Sequence, residues 1–169
     1  MSSLFGKIPK KELSQALKAA VESGDQEALS VALAAGADAA VVLDQYCARG
    51  NVNLICVAAH ENQAEVLEPL VGAGACLDHR EAGYGHTALH IAAIEGHPEV
   101  LQELVYLGLN VNTADNDGDT AIHYAALNGH LRCVERLLKL KANIYARNNC
   151  QQTPLMYAAV DDKVTNTHC

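Results

Sequence analysis

Apolar and polar positions recur along the chain with a long and regular period. Residues 87–97 read Thr-Ala-Leu-His-Ile-Ala-Ala-Ile-Glu-Gly-His, and residues 120–130 read Thr-Ala-Ile-His-Tyr-Ala-Ala-Leu-Asn-Gly-His. Residues 153–159 begin in the same way, with Thr-Pro-Leu-Met-Tyr-Ala-Ala. The leading threonine of each segment lies 33 residues before the next one. A fixed period of this length indicates a repeat architecture, in which successive units stack side by side and bury a continuous core.

A second apolar stripe comes after each of these segments at the spacing of one helix face. In two successive units the stripe is formed by Val100, Leu101, Leu104 and Val105, and then by Val134, Leu137 and Leu138. The pattern predicts two antiparallel helices in each unit. It places Leu138 in the core, together with Leu104 and Leu137.

This 33-residue segment resembles the ankyrin repeat, whose signature is Thr-Pro-Leu-His-x-Ala. The resemblance covers about residues 12–163. It implies an all-α ankyrin-repeat solenoid of helix-turn-helix units, with β-turn or hairpin fingers between the units. In that family the signature imidazole bonds the threonine hydroxyl and nearby loop backbone, which assigns this role to His90 and His123.

The repeat register predicts one array preceded by a short extension, and it divides the chain into seven segments. These are an N-terminal extension 1–11, a cap 12–37, an irregular finger 38–52, units 53–84, 85–117 and 118–150, and a partial unit 151–169. The unit 53–84 contains Pro69 within its second helix and past the first turn, where it would remove a helix hydrogen bond, so we expect that helix to be kinked or shortened. The chain ends where the second helix of the last unit should begin. Two interpretations stay open: the tail is a truncated cap, or the chain is a fragment of a longer array, which we favour.

Charge and composition exclude several classes of function. The formal net charge is −8, with 12 Lys and Arg against 20 Asp and Glu. This balance argues against nucleic acid and against an anionic membrane surface as partners. The N-terminus lacks the apolar region of a signal peptide, and no uncharged stretch is long enough for a membrane span. Six cysteines without a Cys-x-x-Cys pair indicate reduced thiols and an intracellular protein, cytoplasmic or nuclear.

The candidate sites for chemistry are weak. Four of the eight histidines have architectural positions and no His-Glu-x-x-His motif occurs, so we expect no bound metal. The segment 115–119, Asp-Asn-Asp-Gly-Asp, looks like a calcium loop, but both end ligands of an EF-hand are missing, and a finger turn is expected instead. Arg132, Arg136 and Lys139 recur on one side of a helix, where we expect a solvated outer face. No catalytic residue and no cofactor are predicted.

The resemblance implies a partner-binding surface on the concave face formed by fingers and first helices. Carried over position by position, the freely varying sites of the family give these candidate residues: Tyr84, His86, Ile94, Glu95, Asp117, Asp119, Leu127, Asn128, Gln152 and Asp161. Apolar centres rimmed by acids suit a protein partner with a basic surface. We therefore expect a monomeric adaptor or scaffold that binds another protein and has no enzyme activity. The alternative is a targeting or regulatory segment of a longer multidomain enzyme, such as a kinase or ubiquitin ligase subunit.

Overall fold

The structure, a computed structural model, describes residues 9–40, 42–43 and 52–159. Most of the predicted extension, the centre of the irregular finger and the end of the last unit lie outside these ranges. The helices are α1 (Lys10–Ser23), α2 (Gln26–Ala34), α3 (Leu54–His60), α4 (Leu67–Gly72), α5 (Ala88–Glu95), α6 (Pro98–Tyr106), α7 (Ala121–Leu127), α8 (Leu131–Lys139) and α9 (Pro154–Ala158). A 3-10 turn, Ala64–Val66, precedes α4. Strands β1 (Val42–Leu43) and β2 (Val52–Asn53) form a short antiparallel ladder.

The repeated threonine marks the start of each first helix. Thr87, Thr120 and Thr153 are the N-caps of α5, α7 and α9, in extended backbone conformation. Asn53 caps α3 in the same way, and its side chain accepts a hydrogen bond from the Cys56 backbone N–H. Asn53, Thr87 and Thr120 thereby satisfy backbone N–H groups that would otherwise lack a partner at a helix start, whereas the Thr153 side chain makes no capping hydrogen bond.

Pro69 shortens the second helix of its unit, as predicted. Helix α4 has six residues, whereas α6 and α8 have nine each. Proline has no N–H to donate and its ring excludes the preceding backbone from a regular helix. Because α4 begins at Leu67, Pro69 falls in the first turn and not past it, so the expected loss of a helix hydrogen bond does not occur. The preceding residues close a 3-10 turn instead.

The helices stack in two layers, and the core lies between them. The first helices α3, α5, α7 and α9 contact one another in that order, while α6 packs against α8 in the second layer. Each layer supplies small or branched side chains, so the core runs without a break from Leu17 to Leu137. The stacked units form the all-α solenoid that the repeat pattern predicts.

The four cysteines within the described ranges divide into three free thiols and one disulfide-bonded residue. Cys56 and Cys133 are free and buried. Cys76 is free and exposed. Cys150 is disulfide-bonded, so the expectation of reduced thiols fails at this position.

The fingers project from one edge of the stack and are joined to one another by backbone hydrogen bonds. The Asn116 N–H donates to the Tyr84 carbonyl, and the Asn149 N–H donates to the Asp117 carbonyl, both over 2.9 Å. Gly118 permits this close approach, because its φ is +81° and a Cβ atom there would lie 2.9 Å from the Asn149 nitrogen. The fingers therefore form a continuous rigid edge.

Leu138 is not in the core, which corrects the expectation drawn from its stripe. It is 43% exposed, whereas its helical neighbour Leu137 is fully buried. A pair of equivalent positions in successive units shows the reason. Ile122 is 3% exposed, but Leu155, which lies 33 residues later, is 77% exposed. In each earlier unit the next unit covers this side, and no described element covers it after α9.

Candidate partner-binding site

A buried threonine–histidine pair ties α5 to the next finger along the chain. The Thr87 backbone N–H donates to Nδ1 of His90 over 3.1 Å, and the Thr87 hydroxyl lies 2.9 Å from the same nitrogen. Nε2 of His90 lies 3.1 Å from the Asp119 carbonyl oxygen. Because Nδ1 accepts a backbone N–H, the ring proton belongs on Nε2, which donates to that carbonyl. Burial lowers the pKa of His90 to about 4, so the ring is neutral at pH 7.

His123 repeats this geometry one unit later. Its Nδ1 accepts from the Thr120 backbone N–H over 3.1 Å, and its Nε2 lies 3.2 Å from the Gln152 carbonyl oxygen. The role expected for His90 and His123 is therefore confirmed, and both rings are engaged within the fold. Met156 occupies the corresponding position in α9, and a thioether has no N–H to offer a further finger.

A buried carboxylate shapes the finger 113–119. One oxygen of Asp115 accepts the backbone N–H groups of Asp117 and Asp119, each over 2.9 Å. Its other oxygen accepts the Tyr124 hydroxyl over 2.6 Å. Burial alone would raise the pKa of Asp115, but hydrogen bonds from His86 and Tyr124 lower it to about 2. The segment that looks like a calcium loop thus forms the expected finger turn, with Asp115 used to hold it.

Asn148 plays the same part in the next finger. Its side-chain oxygen accepts the backbone N–H groups of Cys150 and Gln152, over 3.1 and 2.9 Å. An amide oxygen can replace a carboxylate oxygen here, because each needs only to accept two N–H bonds. Among the described residues, no cluster of His, Cys, Asp and Glu side chains has the arrangement to hold a metal ion.

His86 lies inside this network and not on the binding surface that the sequence predicts. It is 5% exposed. Its Nδ1 lies 2.9 Å from an oxygen of Glu81, and its Nε2 lies 3.0 Å from the Tyr124 hydroxyl and 3.4 Å from Asp115. The ring therefore links one finger to the next, and it is unavailable to a partner.

Asp119 is also buried, at 5% exposure, so it too is corrected as a surface candidate. Its carboxylate accepts hydrogen bonds from the Asn148 amide over 3.0 Å and from the Tyr157 hydroxyl over 2.8 Å. Burial raises its pKa above the ordinary value. The sequence reasoning missed the two tyrosines that hold these carboxylates. Their signal was present, because Tyr124 and Tyr157 are 33 residues apart and each comes directly after the signature histidine position.

Two exposed candidates lie together on the fingers. Tyr84 is 59% exposed, and its ring stacks on that of His86 with centroids 5.4 Å apart. Asp117 is exposed on the next finger. The hydrogen bond from Asn116 to the Tyr84 carbonyl holds these two fingers side by side. An aromatic side chain and a carboxylate are thus presented from a rigid base.

The helical candidates lie on α5 and α7, which pack against each other. Leu127 is 36% exposed, and Ile94 and Glu95 are partly exposed. Glu95 lies 3.9 Å from Nε2 of His60, from the preceding first helix. Asn128 is exposed, but its amide donates to the Tyr124 carbonyl and so caps its own helix.

The remaining two candidates contribute little to this surface. Gln152 is partly buried, and its backbone N–H and carbonyl are engaged by Asn148 and His123. Asp161 lies outside the described residues. We call the set Tyr84, Ile94, Glu95, Asp117 and Leu127 the finger–helix surface.

The charge of the chain changes sign along the array. Residues 53–130 contain eleven acids and a single base, Arg80. The Arg80 guanidinium donates to the backbone carbonyls of Gly85 and Ala114, over 3.2 and 2.9 Å, and so holds the base of a finger. Residues 131–152 reverse this balance, with five Lys and Arg and one acid. The finger–helix surface belongs to the negative part.

No helix in the part of the chain that the structure describes combines the length and apolar character of a membrane span.

Comparison with known proteins points to one family. A model of ankyrin repeats, three copies in length, matches residues 17–115, 55–148 and 107–166. An ankyrin repeat protein of fowlpox virus (strain NVSL) is 31% identical over 70 residues, which cover 41% of this chain. The chain spans only 20% of the length of that viral protein. Ankyrin repeats are generally protein–protein interaction modules, and the family match covers more than half of the sequence. The chain therefore belongs to the ankyrin repeat family.

Proposed function

We propose that this chain is an adaptor or scaffold module that binds another protein on the finger–helix surface and performs no catalysis. The observation that supports the proposal is a set of apolar side chains, exposed at Tyr84 and Leu127 and partly exposed at Ile94, which we call the apolar row. Exposed aromatic and aliphatic side chains on a preorganised base are typical anchors of a binding interface. The buried polar groups beneath them are engaged by the fingers, which leaves this row free for a partner.

The charge of the surface indicates the chemistry of that partner. Glu95 and Asp117 flank the apolar row, and the surrounding residues 53–130 are strongly acidic. Their field favours a partner with a basic surface, because opposite charges steer the encounter and suppress wrong partners. We propose a module that uses its apolar row for affinity and its acids for selection.

The test starts from affinity capture with the full chain and identification of the captured proteins by mass spectrometry. Each candidate is then purified and measured against a variant carrying Tyr84→Ser and Leu127→Gln. We expect that variant to weaken binding by about tenfold or more, because it removes two exposed anchors. A matched control, Tyr106→Ser, removes a tyrosine that is 86% exposed on α6. The proposal fails if both variants bind as tightly as the native chain.

A second measurement tests the basic character of the partner. Neutralising Glu95→Gln and Asp117→Asn should slow association and reduce its salt dependence, with little effect on dissociation. The control changes two exposed acids of the second helices, Glu68→Gln and Glu99→Gln, and so alters net charge equally. Equal slowing by both pairs would show that only the net charge matters. Unchanged rates in the first pair would contradict the assignment of a basic partner to this surface.

A further inference from the structure

A buried imidazole lies between two buried carboxylates where one finger meets the next. Nδ1 of His86 lies 2.9 Å from an oxygen of Glu81, and Nε2 lies 3.4 Å from an oxygen of Asp115. The Glu81 side chain is 1% exposed and the Asp115 side chain is fully buried. Two ionised carboxylates with so little access to water need a positive charge close by. The charge of the ring between them therefore matters for the junction of the two fingers.

The surrounding hydrogen bonds determine how many hydrogens this ring carries. The Tyr124 hydroxyl donates its hydrogen to Asp115 over 2.6 Å, so its oxygen is left to accept one from Nε2 of His86, 3.0 Å away. A lone pair on Nδ1 would repel the Glu81 oxygen at 2.9 Å, so Nδ1 carries a hydrogen as well. A ring with hydrogens on both nitrogens is an imidazolium, which supplies the positive charge that the two carboxylates need.

The other polar groups around the ring are consistent with this charge. His90, from α5, lies 5.8 Å away between ring centroids and is neutral at pH 7, because burial lowers its pKa to about 4. Asp115 stays ionised, since hydrogen bonds lower its pKa to about 2. Arg80 is a cation of the same finger, and its guanidinium donates to the carbonyls of Gly85 and Ala114. The two carboxylates that face His86 therefore outnumber this cation.

The ring also supports an exposed residue of the finger–helix surface. Tyr84 stacks on His86, with ring centroids 5.4 Å apart and planes 17° apart. A cation within about 6 Å of an aromatic ring is attracted to its face, so an imidazolium holds Tyr84 more firmly than a neutral ring does. The Tyr84 carbonyl accepts the Asn116 N–H from the next finger. Both contacts of Tyr84 therefore depend on the same junction between fingers.

We propose that His86 is a proton-dependent positioning residue for Tyr84. With two ring hydrogens it pairs with Glu81, donates to Tyr124 and holds Tyr84 against its face. Histidine is the side chain whose charge ordinarily changes between pH 5 and 8. As the pH rises and the ring loses one hydrogen, one of these contacts is replaced by repulsion between a lone pair and an oxygen, so Tyr84 loses its fixed position.

The consequence for binding rests on the proposed function. A partner that uses Tyr84 as an anchor would bind more weakly as the pH rises, because the anchor is then no longer preorganised. The low-pH side of the transition is therefore the binding-competent side.

An NMR titration of the full chain alone tests the proposal. Spectra that correlate ring hydrogens with ring nitrogens count the hydrogens of His86 from about pH 5 to pH 9, and His86→Gln identifies its signals. We expect two ring hydrogens at the acid end and one at the alkaline end, with the Tyr84 ring signals shifting over the same interval. A ring that keeps the same number of hydrogens throughout would overturn the proposal, and so would Tyr84 signals that do not follow the ring.

Two glutamate variants test the origin of the effect. Glu81→Gln removes the carboxylate beside Nδ1 and should weaken proton binding by the His86 ring about tenfold, so both transitions move to lower pH. The control, Glu61→Gln, removes a carboxylate 3.0 Å from Nδ1 of His60 and should leave the His86 and Tyr84 transitions in place. Equal shifts in both variants would assign the effect to net charge and overturn the proposal. The native titration decides the question if Glu81→Gln does not fold.

This proposal and the proposed function can fail separately, because the titration contains no partner. Coupled transitions of His86 and Tyr84 in a chain that binds nothing on the finger–helix surface would leave the positioning role intact. A ring that does not titrate, in a chain that does bind there, would leave the proposed function intact.

Discussion

At the scale of single residues, the fingers depend on buried polar groups whose protonation state is fixed by their partners. His90 accepts on one nitrogen and donates from the other, so only the neutral ring fits its site. Asp115 accepts three hydrogen bonds and is held ionised by them. Each group satisfies backbone N–H or carbonyl groups that would otherwise be buried without a partner, which is costly. These side chains therefore contribute to folding and leave recognition to their exposed neighbours.

The stability of the chain should fall as the pH decreases from about 6.5 towards 4, in part because of His90. Its pKa drops from 6.5 to about 4 on folding, so over this window the unfolded chain binds more protons than the folded one. The loss from this residue is at most about 3 kcal/mol. Urea unfolding of the native chain and of His90→Gln at several pH values measures it. The variant should show a shallower dependence above pH 4, where Asp115 does not yet titrate. An identical slope would contradict the assignment.

Asp115→Asn should be tolerated better than Asp115→Ala. Asn148 already holds the next finger with an amide oxygen in the same position, so the asparagine variant can keep both backbone hydrogen bonds. We expect it to cost about 1 kcal/mol, from the weaker bond to Tyr124, whereas alanine leaves two buried N–H groups without an acceptor and costs about 2–4 kcal/mol. Thermal unfolding of both variants compares them. Equal losses would show that the negative charge, and not the turn geometry, is decisive.

At the scale of elements, α8 shows that an apolar stripe has two different sides. Leu137 faces the core of its own unit and is fully buried, whereas Leu138 lines an apolar groove between α7, α8 and α9. The sequence pattern places both leucines in one stripe, because a helix period records only which residues are apolar. Burial of Leu138 requires a further unit stacked beyond α8 and α9. The difference between adjacent residues is therefore a property of the array and not of the helix.

This difference gives a paired prediction for α8. Leu137→Ala should lower the free energy of unfolding by about 2–5 kcal/mol, because it leaves a cavity in a closed core. Leu138→Ala, which removes the same atoms from a half-open groove, should cost less than about 1.5 kcal/mol. Urea denaturation of the two variants under the same conditions makes the comparison. A larger loss for Leu138 would mean that another element covers the groove in solution.

At the scale of the whole molecule, the fold was predictable from the sequence. Which of the candidate side chains are exposed at the surface was not. Period, helix starts and the effect of Pro69 arise from local rules that involve neighbouring residues. The burial of His86 and Asp119 depends on Tyr124 and Tyr157, which reach them across the stack from other elements. A family position that varies freely is therefore not always exposed. Side-chain contacts between units decide this, and a position-by-position transfer does not contain them.

Protection from hydrogen exchange should be greatest in the centre of the array. Helices α5 and α7 each have neighbouring first helices on both sides, whereas α4 is short and α9 has five residues. In a stacked array, stability is roughly a sum of unit and neighbour terms, so units with fewer or weaker contacts open more often. We expect the slowest exchange in residues 87–140 and faster exchange in 53–78. Mass spectrometry of deuterium uptake measures both regions at once, and the reverse order would contradict the stacking energetics.

The forward direction of the histidine bonds determines how such a chain can lengthen. His90 and His123 each reach the finger of the next unit, so the donor and the acceptor of each bond lie 29 residues apart on different units. Duplicating one whole 33-residue unit within residues 87–152 would reproduce every such bond, because each histidine would keep an acceptor 29 residues further along the chain. A copy of the unit that carries Met156 would not form this bond, because methionine has no N–H to donate to the carbonyl of the next finger. Gene duplication in register would therefore extend this array from its middle with the histidine bonds intact, whereas a copy of the Met156 unit would stack without such a bond, as the unit of Cys56 already does.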